Sequence, residues 1–162
     1  MTGKNYGRKY AWLAAALIWM AIIFYFSNQP AAQSGEISGT LTYRMADGAN
    51  RLFHLDWSKE TLAEAAKWLE HPVRKAAHMT EYAILAWILL GNFMQYPLFK
   101  KRSYLWAEAS AVLYAASDEF HQLFIEGRSG ELKDVAIDGT GALIGLALAW
   151  LALSIYYAKR SA

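Results

Sequence analysis

Three clusters of ionisable residues interrupt a sequence that is otherwise rich in apolar residues. An ionised side chain at the centre of a membrane-spanning helix costs roughly 2.5–3.5 kcal/mol, so such residues usually face the protein interior and carry function. Histidine beside carboxylates suits general acid–base chemistry, and arginine binds phosphate or carboxylate groups bidentately. The clusters are Arg74, Lys75, His78 and Glu81; Asp118, Glu119, His121 and Gln122; and Asp134 with Asp138.

The elements that must position these clusters are apolar runs long enough to cross a membrane. Of the 162 residues 56% are hydrophobic, with seven Trp and ten Tyr, which exceeds the usual composition of a soluble domain. A helix needs about 17–25 apolar residues to span the hydrocarbon core. The sequence therefore predicts a single all-α domain over residues 1–162, a four-helix membrane bundle with spans at about 10–27, 76–94, 104–125 and 135–158.

Basic residues predict the orientation of this bundle. They precede the first run, separate the second from the third, and close the chain, and by the positive-inside rule all three segments are cytoplasmic. Both termini then lie inside, and the three clusters meet at the outer leaflet. A cleaved signal peptide is the alternative for the first run, although the bulky residues at its end disfavour it. The basic residues are Lys4, Arg8 and Lys9; Lys100, Lys101 and Arg102; Lys159 and Arg160.

Helical spacing places the clusters on defined faces. At about 100° per residue, each of three stripes joins polar residues on one side of a helix. Glu119 falls about 100° from Asp118, so we expect it to point to a neighbouring helix or the interface. The GxxxG pair on the third stripe is interpreted as a close helix contact. The stripes are Arg74, His78, Glu81 and Leu85; Tyr114, Asp118, His121 and Gln122; Asp134, Asp138, Gly141 and Gly145.

A long outward loop, residues 28–75, separates the first two predicted spans. Apolar residues recur at four-residue steps from Ile37 to Ala49, and again from Leu62 to Leu69 after a predicted Ser58 cap. This pattern predicts two amphipathic helices. They lie on the membrane, roof the site or only decorate the surface, and the sequence leaves all three open. His54 and His71 are expected to be exposed loop residues.

Five polar motifs recur in order along most of the chain. They are Phe26, Ser27, Gln29 and Pro30; residues 74–82; residues 117–122; Gly127 and Arg128; Asp134, Asp138 and Gly141. Taken together in their order, these motifs resemble the VanZ-like family. The resemblance implies a small integral membrane protein of the bacterial cytoplasmic membrane, and founding members are associated with low-level teicoplanin resistance. The family has no agreed mechanism, so the resemblance does not imply one. Glu126 stands where many relatives have proline and adds a carboxylate near the site.

The charge balance of the clusters leaves three interpretations of their structure open. Five acids face four bases when Arg128 and Lys133 are included, so the site nearly neutralises itself as a hydrogen-bonded network. A shared proton or a protonated histidine would remove the remaining charge. The i, i+3 pairs His78/Glu81 and Asp118/His121 are also compatible with a divalent metal. We do not favour a metal, and the cofactor stays unknown.

Two functions from different classes fit these residues. In the first, an outer-leaflet hydrolase or transferase acts on an envelope lipid or lipid-linked wall precursor. In the second, the protein binds or shields such a molecule without turnover. A transporter is disfavoured because no polar path reaches the cytoplasmic side. The predicted catalytic residues are His78, Glu81, Asp118, His121 and Asp138; the predicted substrate-binding residues are Arg74, Lys75, Arg128, Gln122, Glu119 and Asp134.

Some partner classes are excluded or left undetermined. With a net charge of only +2, the chain shows none of the strong excess of basic residues that is typical of a nucleic-acid-binding patch. The absence of cysteine excludes disulfides, thiolate ligands and thiol nucleophiles. The oligomeric state is undetermined.

Overall fold

The computed structural model describes residues 3–161, with the side chains of residues 7–160. Every regular element in that part of the chain is a helix, which confirms the predicted all-α class. The side chain of Lys4, one of the predicted inward-facing basic residues, lies outside the described side chains. The elements are α1 (Gly3–Ser27), α2 (Ala31–Phe53), α3 (Lys59–Phe93), α4 (Pro97–Lys100), α5 (Ser103–Gln122) and α6 (Leu132–Ser161).

Two helices are long and apolar enough to cross a membrane by length and composition. They are Gly7–Ser27 within α1 and Leu132–Arg160 within α6, and most of each apolar window is unburied. The other two predicted spans, in α3 and α5, contain ionisable clusters, and these residues make them less apolar than α1 and α6. Their crossing of the membrane stays a prediction.

Helix α3 is the centre of the bundle and packs against α1, α2, α5 and α6. Its buried face includes Tyr82 and Leu85, neither of which is exposed. The approach to α6 is close because Gly141 and Gly145 lie against backbone atoms of Met79 and Ala83. The GxxxG interpretation as a packing motif agrees with this contact.

The second predicted amphipathic helix and the second predicted span form one continuous helix, because α3 is 35 residues long and runs through Pro72. Its length is about 52 Å at 1.5 Å per residue, well beyond a hydrocarbon core of about 30 Å. Ser58 caps it as predicted, with Oγ accepting a hydrogen bond from Thr61 N. A proline often marks a helix end, but α3 continues through Pro72. In its first turns Leu62 and Ala66 are buried, and α3 packs against α2.

Helix α2 confirms the first predicted amphipathic helix but not its expected packing face. Ile37 and Leu41 are about half exposed, at 52% and 50%. The buried face is one residue further round and contains Ser38, Thr42 and Ala46. The contact with α3 therefore uses small side chains, and the larger apolar side chains point outward.

The loop between α5 and α6 contacts the junction between α1 and α2. Ala31 N donates a hydrogen bond to Glu126 O at 3.1 Å, and Arg128 Nε donates to Gln29 O at 2.8 Å. Gly127 has φ of +73°, a conformation that side chains with a Cβ rarely adopt. These contacts bring together the end of the bundle where α1 and α5 finish and α6 begins, which we call the cluster end.

Candidate functional site

A cavity of about 210 Å³ lies at the cluster end, between α3, α5, α6 and the loop before α6. We call it the polar cavity. Eight of the eleven predicted site residues line it: Arg74, Lys75, His78, Glu119, Gln122, Arg128, Asp134 and Asp138. The remaining lining residues are Ala31, His71, Gly127, Ser129, Glu131 and Ile137. Clusters that are far apart in the sequence thus share one cavity.

Arg74 connects the cavity to α2 through two residues that sequence reasoning missed. Its Nη2 lies 2.5 Å from Glu70 Oε1 and donates to Ser38 Oγ at 3.3 Å. Ser38 Oγ is also within 3.3 Å of Glu70 Oε1. The i, i+4 spacing of Glu70 and Arg74 would have indicated this pair if residue 70 had been assigned to a helix.

Lys75 joins α3 to the first turn of α6 through an ion pair between its Nζ and Asp134 Oδ1. Both side chains are about one quarter exposed, so water screens the pair only in part. An acid in the first turn of a helix is also favourable for the helix dipole. The pair fixes the start of α6 relative to the middle of α3.

Gln122 organises the acids of α5. Its Nε2 donates to Glu119 Oε1 at 3.0 Å and to Asp118 Oδ2 at 3.2 Å, and all three residues are buried. Glu119 Oε2 accepts a hydrogen bond from Glu131 N at 3.0 Å. Glu119 therefore lies in the cavity wall facing the segment before α6, which fits the expectation of a neighbouring element rather than the interface.

Arg128 braces three segments with one guanidinium group. Besides its bond to Gln29 O, Nη2 donates to Phe26 O at 3.2 Å and Nη1 donates to Gln122 Oε1 at 3.3 Å. Burial and then the positive charge of Arg74 lower the pKa of Arg128. Two guanidinium groups thus lie close enough at the cavity to repel each other, and an anion between them would relieve that repulsion.

Several buried polar atoms of the site have no hydrogen-bond partner among the described residues. Asp138 is only 1% exposed, and its Oδ2 is one of these atoms. His78 Nδ1 is another, with Glu81 Oε2 at 3.8 Å, beyond hydrogen-bond distance. Arg74 Nε and Asp118 Oδ1 complete the group. Unpartnered buried groups are rare and costly, so each calls for an explanation, such as a bound molecule or a catalytic role.

Three predicted catalytic residues do not line the polar cavity. Glu81 lines a smaller adjoining pocket of about 200 Å³, which shares Arg74, His78 and Arg128 with the cavity. Asp118 is buried behind Gln122. His121 faces α1, where its Nε2 lies 3.1 Å from Asn28 Oδ1 and its ring centroid 4.8 Å from that of Phe24.

His71 and Glu126 also differ from their sequence interpretation. His71 is exposed as expected but lies in α3 and lines the mouth of the cavity, not a loop. Glu126 contributes its backbone carbonyl to Ala31, while its side chain is exposed and does not line the cavity. His54 ends α2 with φ of +50° and is exposed, as predicted.

The acids and histidines of the site do not converge on one point. Among the described side chains, no group of three or more His, Asp or Glu residues is arranged to hold a metal ion. Instead, Lys75 forms an ion pair with Asp134, and Arg74 forms one with Glu70. The ligand chemistry of the cavity is therefore that of paired charges and single unpartnered atoms.

An all-helical chain with membrane-type helices and ionisable residues buried at one end of its bundle has the features of a small membrane protein. The sequence matches the VanZ/LLP1 family over residues 12–153, and the chain belongs to that family. No curated protein and no solved structure matches it.

Proposed function

We propose that the protein crosses the bacterial cytoplasmic membrane four times, with both termini in the cytoplasm. The four spans would be α1, the part of α3 from Ala76 to Phe93, α5 and α6. Large apolar side chains on the outside of α5 support this arrangement, with Leu105, Leu113 and Phe120 at 58%, 71% and 63% exposure. The basic residues between α3 and α5 lie at the opposite end from the clusters, in agreement with the positive-inside rule.

The absence of native cysteine allows a direct test of this topology. A single cysteine at Ser129 should react with a membrane-impermeant maleimide added to whole cells. A single cysteine at Lys101 should react only after the membrane is opened. Reversed labelling, or equal labelling of both sites in whole cells, would contradict the proposed orientation.

We further propose that the polar cavity binds the headgroup of an envelope lipid or lipid-linked wall precursor and that the protein acts on it as a hydrolase or transferase. The observation that supports this most strongly is the combination of His78 and Asp138 with Arg74 and Arg128 in one cavity. Three of these residues, His78, Asp138 and Arg74, have buried atoms that lack partners among the described residues, and the two arginines carry charge that an anion would stabilise.

The chemical roles follow from the residue types. Arg74 and Arg128 hold a phosphate or carboxylate of the headgroup. His78 takes the proton from a water or an acceptor hydroxyl, and the oxygen of that group attacks the phosphorus or carbonyl carbon of the headgroup. The bond to the leaving oxygen breaks, and the imidazolium returns the proton to that oxygen, so no net proton is consumed. Asp138 binds a hydroxyl of the substrate and orients it.

Reconstitution with labelled lipids tests catalysis. The protein is placed in vesicles that contain radiolabelled phosphatidylglycerol or a labelled lipid-linked wall precursor, and products are separated by chromatography. General-base catalysis typically contributes 10²–10⁴-fold, so His78→Ala should reduce the rate by about 100-fold or more. His54→Ala, an exposed histidine remote from the cavity, is the matched control and should retain the rate.

A second candidate function is binding or shielding without turnover. The specific observation in its favour is that Arg74 and Lys75 already form ion pairs, with Glu70 and Asp134 respectively. Both bases therefore have a structural role that does not depend on a substrate. If wild-type protein binds the labelled lipids but forms no product, this candidate replaces the first. If it neither binds nor converts them, both fall.

Family membership leads us to propose a role in glycopeptide resistance as well. Expression in a susceptible Gram-positive host should raise the teicoplanin concentration that inhibits growth. His78→Ala and Asp138→Asn, at equal protein level, should abolish the increase if catalysis or headgroup binding causes it. An unchanged increase in both variants would separate the resistance from the polar cavity.

A further inference from the structure

An apolar groove begins close to the polar cavity and runs along the outside of α3 and α6. Its volume is about 620 Å³. On α3, Lys75 and His78 line the cavity, and their neighbours Ala76 and Met79 line the groove. On α6 the change from cavity to groove occurs within one turn, from Asp138 to Gly141.

Small residues on the two helices deepen this groove, and large ones form its walls. The floor lies where Gly141 and Gly145 contact the backbone of α3, so the helices leave a furrow beside their line of contact. Ile144 and Leu148 form part of the wall on α6, and Trp87 lies at the far end on α3.

The length of the groove corresponds to one leaflet. From Ala76 to Trp87 on α3, and from Gly141 to Ala152 on α6, it extends over about 16 Å at 1.5 Å per residue. Half of a hydrocarbon core of about 30 Å is about 15 Å. A chain anchored by a headgroup in the polar cavity would therefore reach about as far as the middle of the bilayer.

The cavity at the mouth of the groove indicates what headgroup such a molecule has. Arg74, Lys75 and Arg128 present donors to a phosphate, and Arg74 Nε is buried without a partner. Asp138 is 1% exposed and lacks a partner for Oδ2, so it needs a donor such as a hydroxyl. A headgroup that has both a phosphate and hydroxyl groups satisfies both sets.

We propose that the α3/α6 groove binds a hydrocarbon chain of an anionic outer-leaflet lipid whose phosphate- and hydroxyl-bearing headgroup occupies the polar cavity. This inference rests on the proposed headgroup site and adds a second, apolar subsite. The groove makes recognition of the whole lipid possible, because a free headgroup would gain nothing from an apolar furrow one leaflet long.

Photocrosslinking in vesicles tests the groove directly. The full chain is reconstituted in phosphatidylcholine vesicles with a small fraction of phosphatidylglycerol that has a diazirine in the middle of one acyl chain. After irradiation, mass spectrometry maps the labelled residues. We expect Ile144 and Leu148 to be labelled at least threefold more than Leu113 and Leu143, which are more exposed than Ile144 but lie outside the groove.

Two tryptophan variants provide a matched pair. Ile144→Trp fills the groove and should reduce the labelling of the other groove residues at least threefold. Leu143→Trp should not reduce it, because Leu143 lies outside the groove although it is the more exposed of the two wild-type side chains, at 56% against 46% for Ile144. Leu148→Trp repeats the test if Ile144→Trp does not fold, as judged by circular dichroism and gel filtration.

Three results would overturn the inference. These are uniform labelling of groove and non-groove residues, equal groove labelling by phosphatidylcholine with the same diazirine chain, and crosslinking of the groove to a second copy of the protein. The proposed catalysis fails separately, through absence of product in the chromatographic assay. Product without selective groove labelling would overturn the groove alone, and selective labelling without product would overturn catalysis alone.

Discussion

Replacing Gly145 with alanine should separate α3 from α6 and destabilise the protein. An added Cβ would lie 2.3 Å from Ala83 O and 2.7 Å from Ala83 Cα, and real Cβ atoms essentially never approach closer than 3.0 Å. The obstacle is backbone, so no side-chain rotation relieves it. The helices must move apart by at least about 0.7 Å, the difference between 3.0 and 2.3 Å.

The magnitude follows from two opposing contributions. Overpacking of a close contact typically costs about 1–3 kcal/mol, and a rigid backbone neighbour favours the upper end. Replacing glycine by alanine within a helix returns at most about 1 kcal/mol. We therefore expect Gly145→Ala to lower the free energy of unfolding by about 1–2 kcal/mol. Gly39→Ala in α2, where a Cβ meets nothing within 4 Å, should raise it by about 0.5–1 kcal/mol.

Unfolding in mixed micelles of increasing sodium dodecyl sulfate, followed by far-ultraviolet circular dichroism, measures both variants against wild type. Gly139→Ala is an intermediate case, because its Cβ would lie 3.2 Å from a Val112 side-chain atom, which can adjust. If Gly145→Ala unfolds at the same detergent fraction as Gly39→Ala, the contact between α3 and α6 leaves room for a Cβ and is not a close backbone contact.

Three further predictions concern the contacts around the polar cavity. Arg128→Lys should lower the free energy of unfolding by about 1–3 kcal/mol, because an ammonium group cannot reach all three acceptors at once; equal stability in detergent unfolding would contradict the brace. A double-mutant cycle on Lys75→Ala and Asp134→Ala should give a coupling of about 0.5–1 kcal/mol, since the pair is only partly buried; a coupling of zero would show that it does not join α3 to α6. Ser58→Ala should cost about 1 kcal/mol of α3 stability, whereas Ser58→Asp should retain the cap; hydrogen exchange at Thr61 distinguishes them.

The sequence predicted most of the residues that line the cavity because their spacing within each helix determines which of them share a face. The faces that carry Arg74 and His78, Asp118 and Gln122, and Asp138 follow from helical spacing alone. Bringing the faces together needed only the order and direction of the helices. Five of the eight predicted residues that line the cavity lie on those faces: Arg74, His78, Gln122, Asp134 and Asp138.

The differences arise where tertiary contacts decided the outcome. His121 turns to Asn28 and Phe24 because α1 packs beside α5, a contact that no spacing rule contains. The second predicted amphipathic helix and the second predicted span join into one helix through Pro72, and α2 packs against that helix. Glu70 was missed for the same reason, since its role depends on that continuity.

Arg128 has two roles, and substitution by alanine does not distinguish between them. It holds Phe26, Gln29 and Gln122 in place, and in the proposed site it also binds the headgroup. Arg128→Ala would remove both, so loss of activity would not identify the cause. Arg128→Lys keeps the charge for a phosphate but loses the fork that joins the segments. If Arg128 acts mainly as a brace, this variant should lose stability and activity together, and stabilising Gly39→Ala should restore part of both. If it acts mainly on the headgroup, KM should rise without recovery when stability is restored.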